Sequence, residues 1–435
     1  MSRSIRTITA AVAALLLATA CNSASNSGGS GGSGGAKDGS SVRGVTDDSI
    51  KVGGIVSMTT ASGYSKKDTD LGAKARFDRA NAEGGVHGRK IDYLGAEDDG
   101  QDPGKNLAAA RKLVQREKVF AVSPMSSVTF SGADFLQQQK VPTFGWGTIP
   151  PFCGPTYMYG FGGCMVPMPG GTITQSWPEG LKKVTGGAKG KSVAILANDN
   201  DAGTFAIRTY KQSFAAAGYE VTYAKSTVPA TSVPSDWSAY TKEILRSDGG
   251  KAPDVVVSVM QTPYNIGLFT AVKRAGFKGV ITDPTDYDPG LLAKSATKKA
   301  LDGVHVLLTF QPFEQDSAAM RQFKKDIRKA AGKDVPLNMH MMTGYMSADL
   351  FLAIAEKAGK DLTVDSFQRA ADGYSDTGTL VGDRRLPKGQ KESFGCGALV
   401  RLKEGRTRCR RRSRATNRSP SSRGGPPCRT SWDSC

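Results

Sequence analysis

Histidine is almost missing from this chain, and that absence narrows the chemistry at once. Only His87, His305 and His340 occur in 435 residues, far apart, and no two of the 7 cysteines form a CxxC pair. A zinc framework needs clustered thiolates and imidazoles, so no metal or other cofactor is expected. Nucleophile signatures are also missing. There is no GxSxG elbow. Gly190-Lys191-Ser192 imitates the end of a phosphate-binding loop, but Thr185 stands where the leading glycine belongs, and the segment precedes a strand instead of following one. Long apolar runs are absent beyond the first twenty residues. A transmembrane helix needs roughly 18 such residues, so no later span is expected. Nothing here points to an enzyme.

Acidic residues are outnumbered, 40 against 58 Lys and Arg, for a formal charge of +18. A surplus of that size raises the question of nucleic acid. Its placement argues against that partner. Nine arginines and one aspartate lie between Arg406 and Cys435, so nearly half of the surplus sits in a short terminal stretch. This stretch, rich in Arg, Ser, Pro and Gly, has no hydrophobic periodicity. Residues 406–435 are read as an aberrant basic tail, either an out-of-frame product of a GC-rich gene or a basic arm. With such an end, Cys396 is open to pairing with Cys409, Cys428 or Cys435, or to staying free.

The other end carries a destination. Arg3 and Arg6 precede the apolar Ile8–Ala20 segment, which closes with Leu17-Ala18-Thr19-Ala20-Cys21. Charge, short apolar run and small residues make residues 1–21 a signal peptide. The small residues before Cys21 resemble a bacterial lipobox, although the leucine stands one position early. Cys21 is therefore the expected lipidation site, and the mature protein is expected to be extracytoplasmic and anchored to the cell membrane. Residues 22–47 read as a flexible Gly/Ser linker containing GGSGGSGG. In an exported protein Cys153 and Cys164 are expected to join as a disulfide closing a Gly/Pro/aromatic loop.

Between these ends, strands and helices alternate. Ile50–Val56, Ile91–Leu94, Val119–Val122 and Val141–Phe144 read as strands. Asp68–Ala82 and a stretch opening at Asp102-Pro103 read as helices, with Ala73, Phe77 and Ala80, then Leu107, Ala110, Leu113 and Val114, at helical spacing. The pattern restarts at Ser192–Ala197. The apolar Val255–Val259 run suits a parallel strand buried on both faces. Helices are expected near Thr204–Ala217, Trp237–Arg246, Tyr264–Ala275, Ala318–Ala331 and Thr343–Ala358, with strands at Val221–Tyr223, Val280–Thr282 and Val304–Thr309. The predicted fold class is α/β: two doubly wound lobes with parallel sheets joined by a hinge. One lobe takes residues 48–170 and 300–380, the other 171–299 and 381–405. Ligands of such sheets sit beyond the carboxyl ends of the strands, so the interlobe cleft is the expected site.

Three segments carry a family likeness. Asn81-Ala82-Glu83-Gly84-Gly85-Val86-His87-Gly88-Arg89-Lys90 resembles the glycine turn of the branched-chain amino-acid binding proteins of ABC importers. Glu97-Asp98-Asp99-Gly100-Gln101-Asp102-Pro103 is similar to their acidic element, and Lys118–Thr129 to their ligand-holding strand and serine loop. The resemblance runs from about Ile50 to Leu402 and implies the type I periplasmic solute-binding fold. It implies that Ser126 and Ser127 hold a ligand carboxylate. It places Trp146-Gly147-Thr148 at the amine, with Asp283 or Asp286 as counter-charge and Tyr64 over the ligand. Ala202 and Gln261 stand where branched-chain binders carry closing aromatics, so the far end of the pocket differs. Gln261 is a candidate contact for a polar ligand.

The expected function is ligand capture for an ABC importer by a monomer that closes on an amino acid or a similar solute. The expected partners are that ligand and a membrane permease. A sensor of the same fold, or a binder of a small amide, urea-like molecule or carboxylate, is the alternative. The acidic run Glu97–Asp102 is read as a strand end and helix start and not as a calcium site.

Overall fold

A computed structural model describes residues 42–165, 174–376, 380–386, 390–392, 397–403 and 406–409. The signal peptide, Cys21, most of the Gly/Ser linker, Cys396, Cys428 and Cys435 lie outside the described residues. Among the described residues, no helix is long and apolar enough to cross a membrane.

The first sheet contains β1 (Ser49–Val56), β2 (Lys90–Asp98), β3 (Ala121–Ser126), β4 (Thr143–Gly145) and β5 (Met158–Gly160). Its order is β2-β1-β3-β4-β5, and every pairing is parallel. The helices α1 (Asp68–Ala82), α2 (Pro103–Arg111) and α3 (Ala133–Gln138) connect these strands. α2 begins where Asp102 accepts a hydrogen bond from Lys105 N at 2.8 Å, with Pro103 at the first helical position. Asp98 and Asp99 are likewise consumed locally, by Met58 N, Thr59, Ser57 and Asn106. The acidic run is thus a set of strand-end and capping acceptors. β5 lies in a Gly-rich loop that sequence periodicity does not mark.

The second sheet repeats the scheme. β6 (Ser192–Asp199), β7 (Glu220–Pro229), β8 (Val255–Val259), β9 (Val280–Asp283) and β10 (His305–Leu308) pair in parallel, in the order β7-β6-β8-β9-β10. Around them lie α4 (Ser176–Thr185), α5 (Asp201–Ala216), α6 (Ser238–Ile244), α7 (Thr262–Arg274), α8 (Pro289–Leu292) and α9 (Ser295–Leu301). β10 corrects the sequence reading, which placed residues 300–380 in the first lobe. The chain leaves the second sheet only after Leu308.

It then returns to the first lobe as α10 (Ala318–Ala331), α11 (Met339–Ala358) and α12 (Val364–Asp372). α11 lies against α1 with the backbones almost touching. A Cβ on Gly72 would stand 1.9 Å from Met341 O, and one on Gly344 would stand 1.8 Å from Thr69 O. Only glycine fits at either place. Phe351 and Phe367, from α11 and α12, close over Phe120 and Phe144 in an aromatic core. The two-stranded ribbon β11 (Ser375–Asp376) and β12 (Arg384–Arg385) follows. Buried Arg384 pairs with Asp349 of α11 at 3.0 Å and with Asp376. Residues from 381 on were assigned to the second lobe, and the ion pairs of Arg384 attach β12 to the first.

Finally β13 (Ala398–Lys403) pairs antiparallel with β10, and β14 (Arg406–Cys409) antiparallel with β13. The second sheet therefore has seven strands and an antiparallel edge. The first four residues assigned to the tail belong to that edge. At the other end, Arg43 Nε donates to Val119 O at 2.9 Å and Lys51 N to Gly44 O at 2.7 Å. The fold thus begins several residues before the expected linker boundary at 47.

Candidate functional site

Both lobes share one strand order, and that order makes the site. In each sheet the chain winds one way from its first strand and the other way from its third. The loops leaving those two neighbours diverge and open a crevice at their carboxyl ends. In the first lobe these are the loops after β1 and β3, carrying Tyr64, Lys66, Ser126 and Ser127. In the second they are the end of β6 and the loops after β6 and β8, carrying Asn198, Asn200, Met260 and Gln261. All eight line one cavity of about 170 Å³.

Among the described residues, two side-chain hydrogen bonds cross the cleft. Ser62 Oγ donates to Gln261 Oε1 at 2.8 Å, and Trp146 Nε1 to Thr309 Oγ1 at 3.0 Å. Cys153 and Cys164 are joined, with Cα atoms 5.0 Å apart, and Phe205 of α5 packs on them from the other lobe. This cross-link closes the loop that brings Ile149 and Met165 to the cleft wall.

Most of the expected residues meet here: Tyr64, Ser126, Ser127, Trp146, Thr148 and Gln261 all line the cavity, as does Ala202. Ser127 is nearly buried, accepts from Thr129 N at 3.3 Å and lies 3.0 Å from Ser57 Oγ, which also reaches Asp99 at 2.7 Å. The Tyr64 ring stands edge-on to His340 with centroids 5.3 Å apart. Burial, with the charges of Asp286, Asp283 and Asp288, raises the Tyr64 phenol well above its ordinary range, so it stays protonated.

Three expected residues are elsewhere. Gly147 does not line the cavity. Its φ of +98° and a would-be Cβ contact of 1.8 Å with Gly163 O mark it as a backbone requirement of the loop. Asp283 and Asp286 are fully buried behind Pro284 and Thr285, which face the cavity in their place. Asp283 Oδ1 accepts from the N–H groups of Thr285 and Asp286, each at 2.7 Å. Asp286 accepts from Thr262 Oγ1 at 2.6 Å and Asn265 Nδ2 at 3.1 Å. This side-chain-to-backbone turn folds both carboxyls inward. Burial pushes Asp283 up to about 7. Burial and the Asp283 charge raise Asp286 well above the carboxylate range.

The sequence did not single out Lys66, Asn198 or His340 as site residues. Burial pulls the Lys66 ammonium down to about 8, against the opposing pull of Asp99. Burial and the Lys66 charge hold His340 down at about 3, so its ring is neutral. No Asp or Glu lines the cavity among the described residues. The Asn-Asp-Asn run ending β6 was a usable signal, since a strand end at a topological switch faces the ligand.

A family model described as periplasmic binding protein matches residues 49–407. The chain belongs to the periplasmic binding protein family. Its two-lobe architecture is the type I fold that the sequence motifs implied. Solved structures agree on that fold. A fatty acid ABC transporter substrate-binding protein from Thermomonospora curvata is 21% identical, covering 85% of this chain and 92% of its own, at a TM-score of 0.69. An R. palustris ABC transporter solute-binding protein in complex with benzoate is 19% identical, covering 83% and 95%, at 0.63. A leucine binding protein from Thermotoga maritima is 16% identical, covering 83% and 97%, at 0.64. No curated protein matches the chain. Members of this periplasmic binding protein family deliver substrates to transporters and work outside the cytoplasm.

Proposed function

We propose that this periplasmic binding protein is the ligand-capturing component of an ABC importer and takes a small molecule bearing a carboxylate, the class to which amino acids belong. The observation that carries this reading is the meeting of two topological switch points on one cavity, with Lys66, Ser126 and Ser127 on its first-lobe side. A carboxylate only accepts hydrogen bonds, so hydroxyls and an ammonium are its natural surroundings. Fatty acid, benzoate and leucine, named for the three relatives, have a carboxylate in common.

The mechanism is hinge closure. The chain passes between lobes three times, after β5, after β10 and after β12. A ligand touching both walls favours the closed arrangement, which the permease then recognises. The lipid on Cys21 and the Gly/Ser segment would hold a monomeric body within reach of that permease. A sensor of the same fold is the second reading, and an amide or urea-like ligand is the neutral alternative within the first.

A thermal-shift screen of the exported full chain tests this, with amino acids, small carboxylates and small amides at millimolar concentration. A ligand at about 100 times its Kd adds roughly 2.7 kcal/mol of stability. Small-angle scattering on any hit should show a smaller radius of gyration. A cooperatively melting protein that answers to none of these solutes, and does not compact, would refute the reading.

A further inference from the structure

An amino acid brings an ammonium as well as a carboxylate, and this cavity has no anionic group for it. No Asp or Glu lines it among the described residues, and Asp283 and Asp286 on the second lobe are turned inward behind Pro284 and Thr285. A buried ammonium without a carboxylate partner is costly. The charge that does face the cavity is positive. Lys66 Nζ has no hydrogen-bond or ion-pair partner among the described residues, and Asp99, whose charge it feels, already accepts from Ser57, Gln101 and Asn106. On the opposite wall Asn198 is 4% exposed and its Nδ2 has no hydrogen-bond partner. Buried donors are rarely left so. The lining also carries an apolar group, Trp146, Ile149, Met165, Val259, Met260 and Leu307, among neutral polar side chains such as Thr148 and Gln261. The volume, about 170 Å³, is near the roughly 150 Å³ of a protein cavity that holds one benzene.

We infer that the ligand is a small carboxylate with an apolar body of about one ring and no ammonium group, paired by Lys66 on one lobe and hydrogen-bonded by Asn198 on the other. This rests on the cleft being the ligand site. It assigns Lys66 as the determinant of ligand charge and Asn198 as the donor that couples occupancy to closure.

The test is calorimetric titration of the full chain with matched probes. Isocaproate is leucine without its amine, and hydrocinnamate is phenylalanine without its amine. Benzoate and benzamide differ in charge. Each deaminated acid should bind at least tenfold tighter than its amino acid, and benzoate at least tenfold tighter than benzamide. Lys66→Met should weaken the best carboxylate at least tenfold while raising the ligand-free melting temperature, since it removes an unpaired buried charge, and Lys66→Arg should restore most of the affinity. The wild-type comparisons stand even if a variant folds poorly. Tighter binding of leucine or phenylalanine than of their deaminated partners would overturn the inference and leave the importer reading intact. So would full affinity in Lys66→Met, or a response confined to amides. Silence towards every solute in this set and in the wider screen would overturn both.

Discussion

The two walls of the cleft come from the same strand order but differ in what they expose. The first-lobe wall shows its charge, with Lys66 unpaired at the cavity and Ser126 and Ser127 beside it. The second-lobe wall hides its charge. Asp283 and Asp286 are buried and locally bonded, and the wall presents Asn198, Gln261, Thr285 and aliphatic side chains instead. The difference teaches that a strand end at a switch point sets where a residue stands, while local backbone bonds decide whether it faces the ligand.

Reversing the sign of the first wall should have the largest effect. Lys66→Glu sets like charges against each other, and carboxylate affinity should fall by about three powers of ten in calorimetry. Opening the Cys153–Cys164 link comes next. It closes a loop of sequence separation 11, so the double serine variant should lose about 3 kcal/mol in urea unfolding, with the wall of Ile149 and Met165 loosened. A change on the second wall ranks third. Asp283 rises from 3.8 unfolded to about 7 folded, so it favours the fold below about pH 4 and loses that favour as pH rises through about 7. Asp283→Asn should therefore gain on wild type by on the order of 2 kcal/mol between about pH 5 and pH 8, read from melting temperatures across pH. The smallest effect joins the walls. Ser62→Ala removes the bond to Gln261 and should cost about 0.5–1 kcal/mol of closed state, a twofold to fivefold loss of affinity.

Much of the fold was legible because burial imposes periods on sequence. The α1 boundaries and the apolar β8 strand follow from spacing alone, and the alternation of elements gave two α/β lobes. β10 was misplaced because a four-residue buried run carries no information about which sheet it joins. β5 escaped because three residues in a glycine-rich loop show no period. Ser126, Ser127, Tyr64 and Trp146, which the resemblance implied, line the cavity, and family motifs near strand ends marked them. Asp283 and Asp286 were chosen for their charge, and the turn made by Asp283 Oδ1 turned them away. Lys66, Asn198 and His340 come from three distant segments. Their meeting is a property of the packed chain, and no local pattern announces it.

The pairing of α1 with α11 has a consequence for biosynthesis. Arg76 meets Asp349 across a sequence separation of 273 residues, and the glycine contact between the helices joins equally distant segments. The first lobe therefore cannot mature as it emerges, because the helix that completes it arrives after the whole parallel core of the second lobe. A topology with such distant partners folds slowly. Completion of the first lobe therefore waits on the arrival of α11, however early its own strands have been made.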